Sequence, residues 1–397
     1  MLNGIKIVEF STMVAGPSAA GLMADWGAEV IKIEPHRGDP MRGAPNSILG
    51  TINFDLHNRG KRSIALDTNA PRTREIILRL VERADLFITN MLPKQLEKVR
   101  LDWHDIREVN PRIVVGGVSS FGRFGPDKDR GATDNLGFWA RGGGTHLLTV
   151  KGQEPIPIRQ SVGDRITGMT ACAGMLAALL QAQRTGQGCF VDTSLLSAGL
   201  WSFSTDVSNQ LNRGRVATSK NRHGAALPLS NYFKTKDERW IQIHTQIGPI
   251  SKALGIPELE NDPHFATPDA IRQNGPALVD LIDSVFSRFT LEELKPRLEE
   301  AGARYEPVQS TADVAEDPQV RAMKMIQPSE RDGETQWQVA NPWTLIDGDA
   351  FVTPAPGSAP KLGEHTIEIL LELGYSKEDI AMMETTGEIL PRPSHSI

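Results

Sequence analysis

Short apolar, β-branched runs alternate with longer segments of helical periodicity over the first half of the chain. Ile5-Lys6-Ile7-Val8-Glu9-Phe10 reads as a strand. Ser11 to Pro17 follows as a loop, Ser18 to Trp26 as a helix, and Gly27 breaks before the strand Val30-Ile31-Lys32-Ile33-Glu34. This is a βαβ unit of roughly 30 residues, which predicts a parallel sheet with helical crossovers. The pattern repeats with a strand at Ile64-Ala65-Leu66, a surface helix over Arg72 to Arg83, and a strand Leu86-Phe87-Ile88-Thr89 ending at Asn90. A helix from Pro93 to Val99 carries Lys94 and Lys98 one turn apart, and Ile113 to Val118 is a further strand. Phe121 to Arg130 is broken by glycine and proline and reads as loop. Phe190 to Ser194 predicts the last strand of this sheet, and Asp192 to Leu211 a long helical segment.

From about 212 to 230 the periodicity lapses, which marks a connection. A smaller α+β unit follows, with a strand at Trp240 to His244 and a helix from Leu291 to Ala301 that ends at Gly302. The tail carries a helix from Ile367 to Leu373, stopped by Gly374.

Between the fifth and last strands lies Gly163-Asp164-Arg165-Ile166-Thr167-Gly168, followed by a helix crowded with Gly and Ala up to Gly186-Gln187-Gly188. Small residues allow close backbone approach, so this helix is expected to be central and buried. Asp164 at its mouth fits two roles: an N-cap accepting free backbone N–H groups, or a nucleophile kept ionised by the helix dipole. Spacing is compatible with both.

Composition narrows the class. Hydrophobic residues make up 39% and charged residues 23% of 397 positions, enough for two globular domains. The net charge of −6, with no basic arm and no zinc-ligand spacing, gives no support for nucleic-acid binding, and no metal is implied. Two cysteines, Cys172 and Cys189, imply no disulfide framework and a reducing, cytoplasmic setting. No signal peptide is evident at Met1-Leu2-Asn3-Gly4, and no apolar run approaches the roughly 18 residues that span a bilayer, so no membrane partner is expected. A nicotinamide role, with Glu34 on a ribose, fails because the first loop holds only Gly16 of a G-x-G-x-x-G turn. Asn58-Arg59-Gly60-Lys61-Arg62-Ser63 reads either as a solvated basic turn or as an anion site.

These pieces together resemble the family III CoA-transferases. The resemblance runs through Leu2 to Ile7, Ala15-Gly16-Pro17, Gly27 to Glu34, Asn58 to Ser63 and Asn110-Pro111-Arg112. It continues through the Asp164 helix with Thr185 to Gly188, Asp317-Pro318-Gln319-Val320, and Leu362 to Thr366. It implies an α/β fold: a Rossmann-like large domain built from both chain ends, a small α+β domain, and two chains interlocked as a homodimer. On this pattern residues 1–211 and 323–397 form the large domain, 212–230 a linker, and 231–322 the small domain. The resemblance assigns Asp164 as nucleophile and Asp134 as an acidic auxiliary, for which an Asx-turn is the other reading. It places coenzyme A, a substrate and not a resident cofactor, against Met13, Val14, Ala15, Leu66, Asn90, Met91 and Lys98. Lys98 stands where the family has an arginine, and so acts as a point charge, not a fork. Arg37 stands in for the arginine that follows the glutamate directly in formyl-CoA transferases. Phe138 and Trp139 suggest an apolar acyl pocket, with ordinary packing as the other reading. His223 to Pro228, including Gly224, replaces a glycine run that closes over the intermediate.

The implied reaction moves CoA from an acyl-CoA to a free carboxylic acid of medium size, such as a 2-hydroxy acid, through an anhydride and a thioester on Asp164. Two alternatives stand beside it. A 2-methylacyl-CoA racemase needs a base where Thr133 stands, which argues against it. A CoA-ester-binding protein would use Asp164 only as a cap.

Overall fold

The computed structural model describes residues 1–43, 52–159, 161–216, 218–331, 333–347 and 350–391. The chain divides into two compact units. The first comprises 1–146, 157–216 and 321–397, and the second 147–156 and 217–320.

In the first unit the apolar runs form β1 (Lys6–Phe10), β2 (Glu29–Pro35), β3 (Arg62–Leu66), β4 (Leu86–Thr89), β5 (Val114–Ser119) and β6 (Phe190–Ser194). They pair in the order β3-β2-β1-β4-β5-β6, parallel throughout. The order reverses between β1 and β4, the switch point where open α/β sheets leave a crevice at the strands' carboxyl ends. The connecting helices are α1 (Ala15–Asp25), α2 (Ile52–Asn58), α3 (Pro71–Glu82), α4 (Pro93–Val99), α5 (Trp103–Val109), α6 (Gly144–Leu148) and α7 (Val162–Thr185), followed after β6 by α8 (Leu195–Ser202) and α9 (Ser204–Arg213).

Strand alternation sorts the core onto two faces. Val8, Phe87 and Val115 meet Ile76, Leu80 and Ile106 of α3 and α5. Ile7, Leu86, Ile88 and Val114 meet Ala19 and Met23 of α1 and Ala171 and Met175 of α7. Gly168 sets how closely α1 and α7 approach: a β-carbon there would collide with Ser18 Oγ and lie 2.7 Å from the Ala15 carbonyl oxygen. Cys172 is buried at this junction, its thiol pushed up to about 12 by burial, and acts as a small apolar residue.

The second unit has an antiparallel sheet, β7 (Ser230–Lys234), β8 (Trp240–His244) and β9 (Arg304–Pro307), in that order. It packs with α10 (Ile247–Leu254), α11 (Pro268–Gln273), α12 (Gly275–Phe286) and α13 (Leu291–Glu300) around Phe233, Ile241, Ile282, Phe286 and Leu294; α14 (Thr311–Glu316) follows. After α15 (Pro318–Ala322) the chain forms the hairpins β10 (Ile326–Arg331) with β11 (Glu334–Val339) and β12 (Leu345–Asp347) with β13 (Ala350–Val352). It ends in α16 (Thr366–Glu372) and α17 (Lys377–Thr386), whose Ile369, Leu370, Ile380 and Met383 join the first unit's core.

Several expectations change. Helix α1 begins at Ala15, not Ser18, because Pro17 sits in the first turn, where no N–H partner is needed. The predicted segment Asp192 to Leu211 is β6 followed by two helices that break at Phe203. Residues 147–156 and 218–230 belong to the second unit: Val150 bridges Ser219, and Arg222 grips Asp283 with both terminal nitrogens at 2.7 Å. Helix α7, at 24 residues, is long and apolar enough to cross a membrane by length and composition, which the apolar runs did not reveal. Its buried stripe from Gly163 to Ala182 packs against α1 and β5 instead.

The basic turn at 58–62 is neither solvated nor an anion site. Arg59 donates to both oxygens of Asp25, at 2.9 and 2.8 Å. Lys61 Nζ donates to Glu9 Oε2 at 2.6 Å, to the Pro17 carbonyl and to Asn58 Oδ1. Lys32 Nζ donates to Glu9 Oε1 and the Ser11 carbonyl, both at 2.9 Å, and lies 3.0 Å from Asp39 Oδ2. Glu9, Lys32, Asp39 and Lys61 are all buried. Burial alone would raise the Glu9 carboxyl, but the two lysines hold it below its ordinary value. Lys61 is pushed down to about 8 by burial. Removing one member leaves the others uncompensated, so Lys32→Met is expected to cost about 3–5 kcal/mol in urea unfolding. A loss within that of an ordinary surface substitution would show the cluster to be solvated.

Candidate active site

A cavity of about 750 Å³ opens at the carboxyl ends of β1, β4 and β5. Its wall includes Met13, Val14 and Ala15 at the start of α1, Asn90 after β4, Ser119 and Ser120 at the end of β5, and Asp134, Asp164 and Arg165. Met13 takes φ of 71°, a left-handed conformation unusual for a residue with a β-carbon. Three hydrogen bonds fix this turn. Asn90 Oδ1 accepts from Thr12 N at 3.0 Å, its Nδ2 donates to the Thr12 carbonyl at 2.7 Å, and Met13 N donates to Asp39 Oδ1 at 3.1 Å. Asp39 is the residue that Lys32 contacts from below.

Asp164 is not the cap of α7. Ser161 occupies the N-cap position, and Asp164 lies inside the first turn with no side-chain capping bond. Its carboxylate makes no hydrogen bond or ion pair with a described residue. Asp134 stands over the helix start instead, 3% exposed, with neither carboxylate oxygen hydrogen-bonded. The Asx-turn reading of Asp134 is thereby excluded. The N–H groups of Ser161, Gly163 and Val162 lie near enough to favour its ionised form without a well-shaped bond. Burial outweighs them and raises its pKa. Gly163 makes room for the arrangement: a β-carbon there would collide with Asp134 Oδ1 and the Phe138 ring.

Asp164 is pushed up to about 6, by burial first and by the neighbouring Asp134 second, with Arg165 opposing. Arg165 is half-buried. Among the described residues its side chain makes one weak hydrogen bond, Nη1 to the Ser161 carbonyl at 3.4 Å, and its Nε is buried without a partner.

Other predicted residues lie elsewhere. Leu66 is fully buried, and its backbone bridges Ile389. Met91 packs on the core beside α4, while Lys98 and Arg37 are exposed outside the cavity wall. The cation that meets Glu34 is Arg42, with bonds of 2.6 and 2.8 Å, and it stacks on Phe54 at 3.9 Å. Ser63 Oγ and Asp39 N also donate to Glu34, which leaves it no role on a ribose. Phe138 and Trp139 lie in a π-helical turn, Asn135–Arg141. Phe138 is 1% exposed and packs on Trp139 and Phe203 at 5.2 and 5.8 Å, so this pair is packing and not an acyl pocket. Gly224 belongs to the second unit, where Asn221 Oδ1 accepts from its N–H and His223 pairs with Asp280 at 3.1 Å. Arg165 went unremarked in the sequence although it sits in the same motif as Asp164. His57, buried and held neutral with its pKa near about 3 by burial and by Arg165, carries no sequence signal at all.

A parallel six-stranded sheet with two carboxylates at its switch point defines an α/β enzyme. The chain belongs to CoA-transferase family III, whose model matches residues 2–366. It is 30% identical over 391 residues to (R)-2-hydroxy-4-methylpentanoate CoA-transferase of Clostridioides difficile, covering 96% of this chain and 97% of that enzyme. It is 31% identical over 400 residues to succinyl-CoA–D-citramalate CoA-transferase of Chloroflexus aurantiacus, covering 96% of each. Among solved structures, a CAIB/BAIF family protein from Brucella suis matches with a TM-score of 0.83 at 30% identity, over 94% of this chain and 99% of that one. The protein is thus a CoA-transferase that handles CoA thioesters.

The raised Asp164 pKa carries a stability signature. A carboxyl whose folded pKa exceeds its ordinary 3.8 contributes stability fully below 3.8 and loses it as pH rises through about 6. Asp164→Asn, neutral at every pH, is therefore expected to be more stable than the native protein at pH 8, by on the order of 1–3 kcal/mol. The gain should shrink as pH falls towards 4. Equal or lower stability at pH 8 in denaturant titrations would contradict this electrostatic account.

Proposed function

We propose that CoA transfer proceeds through two covalent intermediates on Asp164, with Asp134 as an acidic auxiliary. Asp164 attacks the thioester carbonyl of an acyl-CoA. The C–S bond breaks, giving a mixed anhydride and CoA thiolate. The thiolate attacks the Asp164 carbonyl carbon and the donor acid leaves, with CoA held as a thioester. An acceptor carboxylate then reverses these steps. The observation that carries this reading is Asp164 itself: a carboxylate in the cavity wall, inside the first turn of a helix it does not cap and without a hydrogen-bond or ion-pair partner among the described residues. The family supplies the reaction class, since its members exchange CoA between acids.

The acid is a medium-sized organic acid, for which a 2-hydroxy acid is the leading candidate. Support comes from relatives named for 2-hydroxy-4-methylpentanoate, phenyllactate and D-citramalate, not from Phe138 and Trp139. The starts of α1 and α7 offer N–H donors for the oxyanions that form at the carbonyl carbons. Coenzyme A lies along Met13 to Ala15 and Asn90, with the exposed Arg37 and Lys98 as cations for its phosphates. The working assembly is a homodimer, supported by the apolar side chains Leu180, Leu200, Trp201 and Leu211 that this chain leaves exposed. Its setting is the cytoplasm, consistent with two unpaired cysteines.

Incubation with a panel of acyl-CoAs, a borohydride quench and peptide mapping test the intermediate. Reduction of Asp164 to the alcohol with some donors, absent in Asp164→Ala, is the expected result. An unmodified Asp164 with every donor, despite measurable CoA binding, would reject the reading. Because Asp164 must be ionised to attack, kcat/KM for the acyl-CoA is expected to rise with pH through about 6. Asp134→Asn removes a negative neighbour and should move that rise to lower pH. A profile flat from pH 5 to 8 would mean another group limits the reaction.

A further inference from the structure

A free acid entering this cavity, when Asp164 carries CoA as an uncharged thioester, brings a second carboxylate to a wall that already holds Asp134. Like charges so close raise one another's energy unless a cation intervenes. Among the described cations, two guanidinium-bearing residues line the cavity, Arg159 and Arg165. Arg159 is exposed and lies at the solvent side. Arg165 is half-buried and chain-adjacent to Asp164. It forms no ion pair with either aspartate, its one hydrogen bond among the described residues is the 3.4 Å bond to the Ser161 carbonyl, and its Nε is buried and unpartnered. Elsewhere in this unit the sheltered guanidinium groups are held by carboxylates: Arg42 by Glu34, Arg59 by Asp25, and Arg62, whose Nε is also unpartnered, by Glu368 and Glu372 through its terminal nitrogens. A buried guanidinium edge without an acceptor is costly and is present here beside the reacting carboxylate.

We propose that Arg165 is the anchor for the carboxylate of the free acid, holding it beside Asp164 in both halves of the exchange. The inference rests on the aspartyl reading above. In the second half, one oxygen of the anchored carboxylate attacks the carbonyl carbon of the Asp164–CoA thioester. The C–S bond breaks and CoA departs as the thiolate, leaving the mixed anhydride. The thiolate then attacks the acid's acyl carbon, the anhydride C–O bond on that side breaks, and Asp164 recovers its carboxylate. Arg165 forms no covalent bond. It offsets the charge of the entering acid and fixes which oxygen faces the thioester. The donor enters as an uncharged thioester, so its attack by Asp164 does not call on the anchor.

The test compares Arg165→Gln, Arg165→Lys and Arg159→Gln with the native enzyme. Arg165→Gln is expected to raise KM for the acceptor acid roughly 10- to 100-fold, the worth of a charge-assisted hydrogen bond. KM for the acyl-CoA should change little, and borohydride should still trap Asp164 to the same end point. Arg165→Lys restores the charge but not the planar fork, and should recover part of the loss. Asp164 is acted on by Asp134 and Arg165, so loss of the guanidinium should also move the pH dependence of trapping upward. An unchanged KM for the acid, or an effect that follows Arg159→Gln instead, would overturn the proposal. So would loss of trapping in Arg165→Gln while the native enzyme is trapped. Absence of trapping in the native enzyme would instead reject the covalent reading on which the anchor rests.

Discussion

The buried cluster of Glu9, Lys32, Lys61 and Asp39 ties together the parts from which the cavity is built. Glu9 lies on β1, Lys32 on β2, Lys61 just before β3, and Asp39 in the turn after β2. Through the Ser11 and Pro17 carbonyls the two ammonium groups also hold the loop that enters α1. Each ion would be expensive alone in this interior, and each is matched by charge and hydrogen bonds. The turn carrying Met13 at positive φ therefore rests on a polar floor, not on apolar packing. Such a floor gives one geometry and few near-equivalent ones, which suits a turn that lines the cavity.

At another part of the wall two aspartates meet the start of α7. Asp134, from the π-helical segment, takes the place above the start of α7, and Asp164 is left facing the cavity. The arrangement depends on Gly163, since no other residue fits between Asp134 and Phe138. The same crowding that positions the pair raises both pKa values. A carboxylate poised near neutrality is a better leaving group from its own anhydride than a strongly basic one and a better attacking group than a very weak one.

Much of the sheet was legible because its signals are local. Apolar runs, glycine breaks and spacing placed all six strands of the parallel sheet, and the family resemblance pointed to Asp164 and to the chain-end architecture. What stayed hidden depends on partners distant in sequence. The turn Asn58 to Ser63 looks like a basic surface patch until Glu9 and Asp25 are seen to meet it. Arg37 and Arg42 are equivalent as letters, and only the short turn Pro40–Arg42 decides which one reaches Glu34. Phe138 and Trp139 are large and apolar, so composition cannot tell a pocket wall from a packed cluster. Arg165 carries no distinguishing letter pattern, because its unpartnered Nε shows only once the chain is folded.

The return of the last helices to the first unit bears on how the protein is made. Strand β3 is an edge of the sheet, and it is bridged by Ile389 and flanked by α16, residues that emerge from the ribosome more than three hundred positions later. The second unit draws its core from residues before 321 and can gather while that edge still waits. During synthesis, an edge strand that itself carries apolar Ile64 and Leu66 stays uncovered on its outer side for much of the chain's elongation. The order of synthesis is thus at odds with the order of strands, and the nascent chain has the most need of protection from aggregation before its final two helices appear.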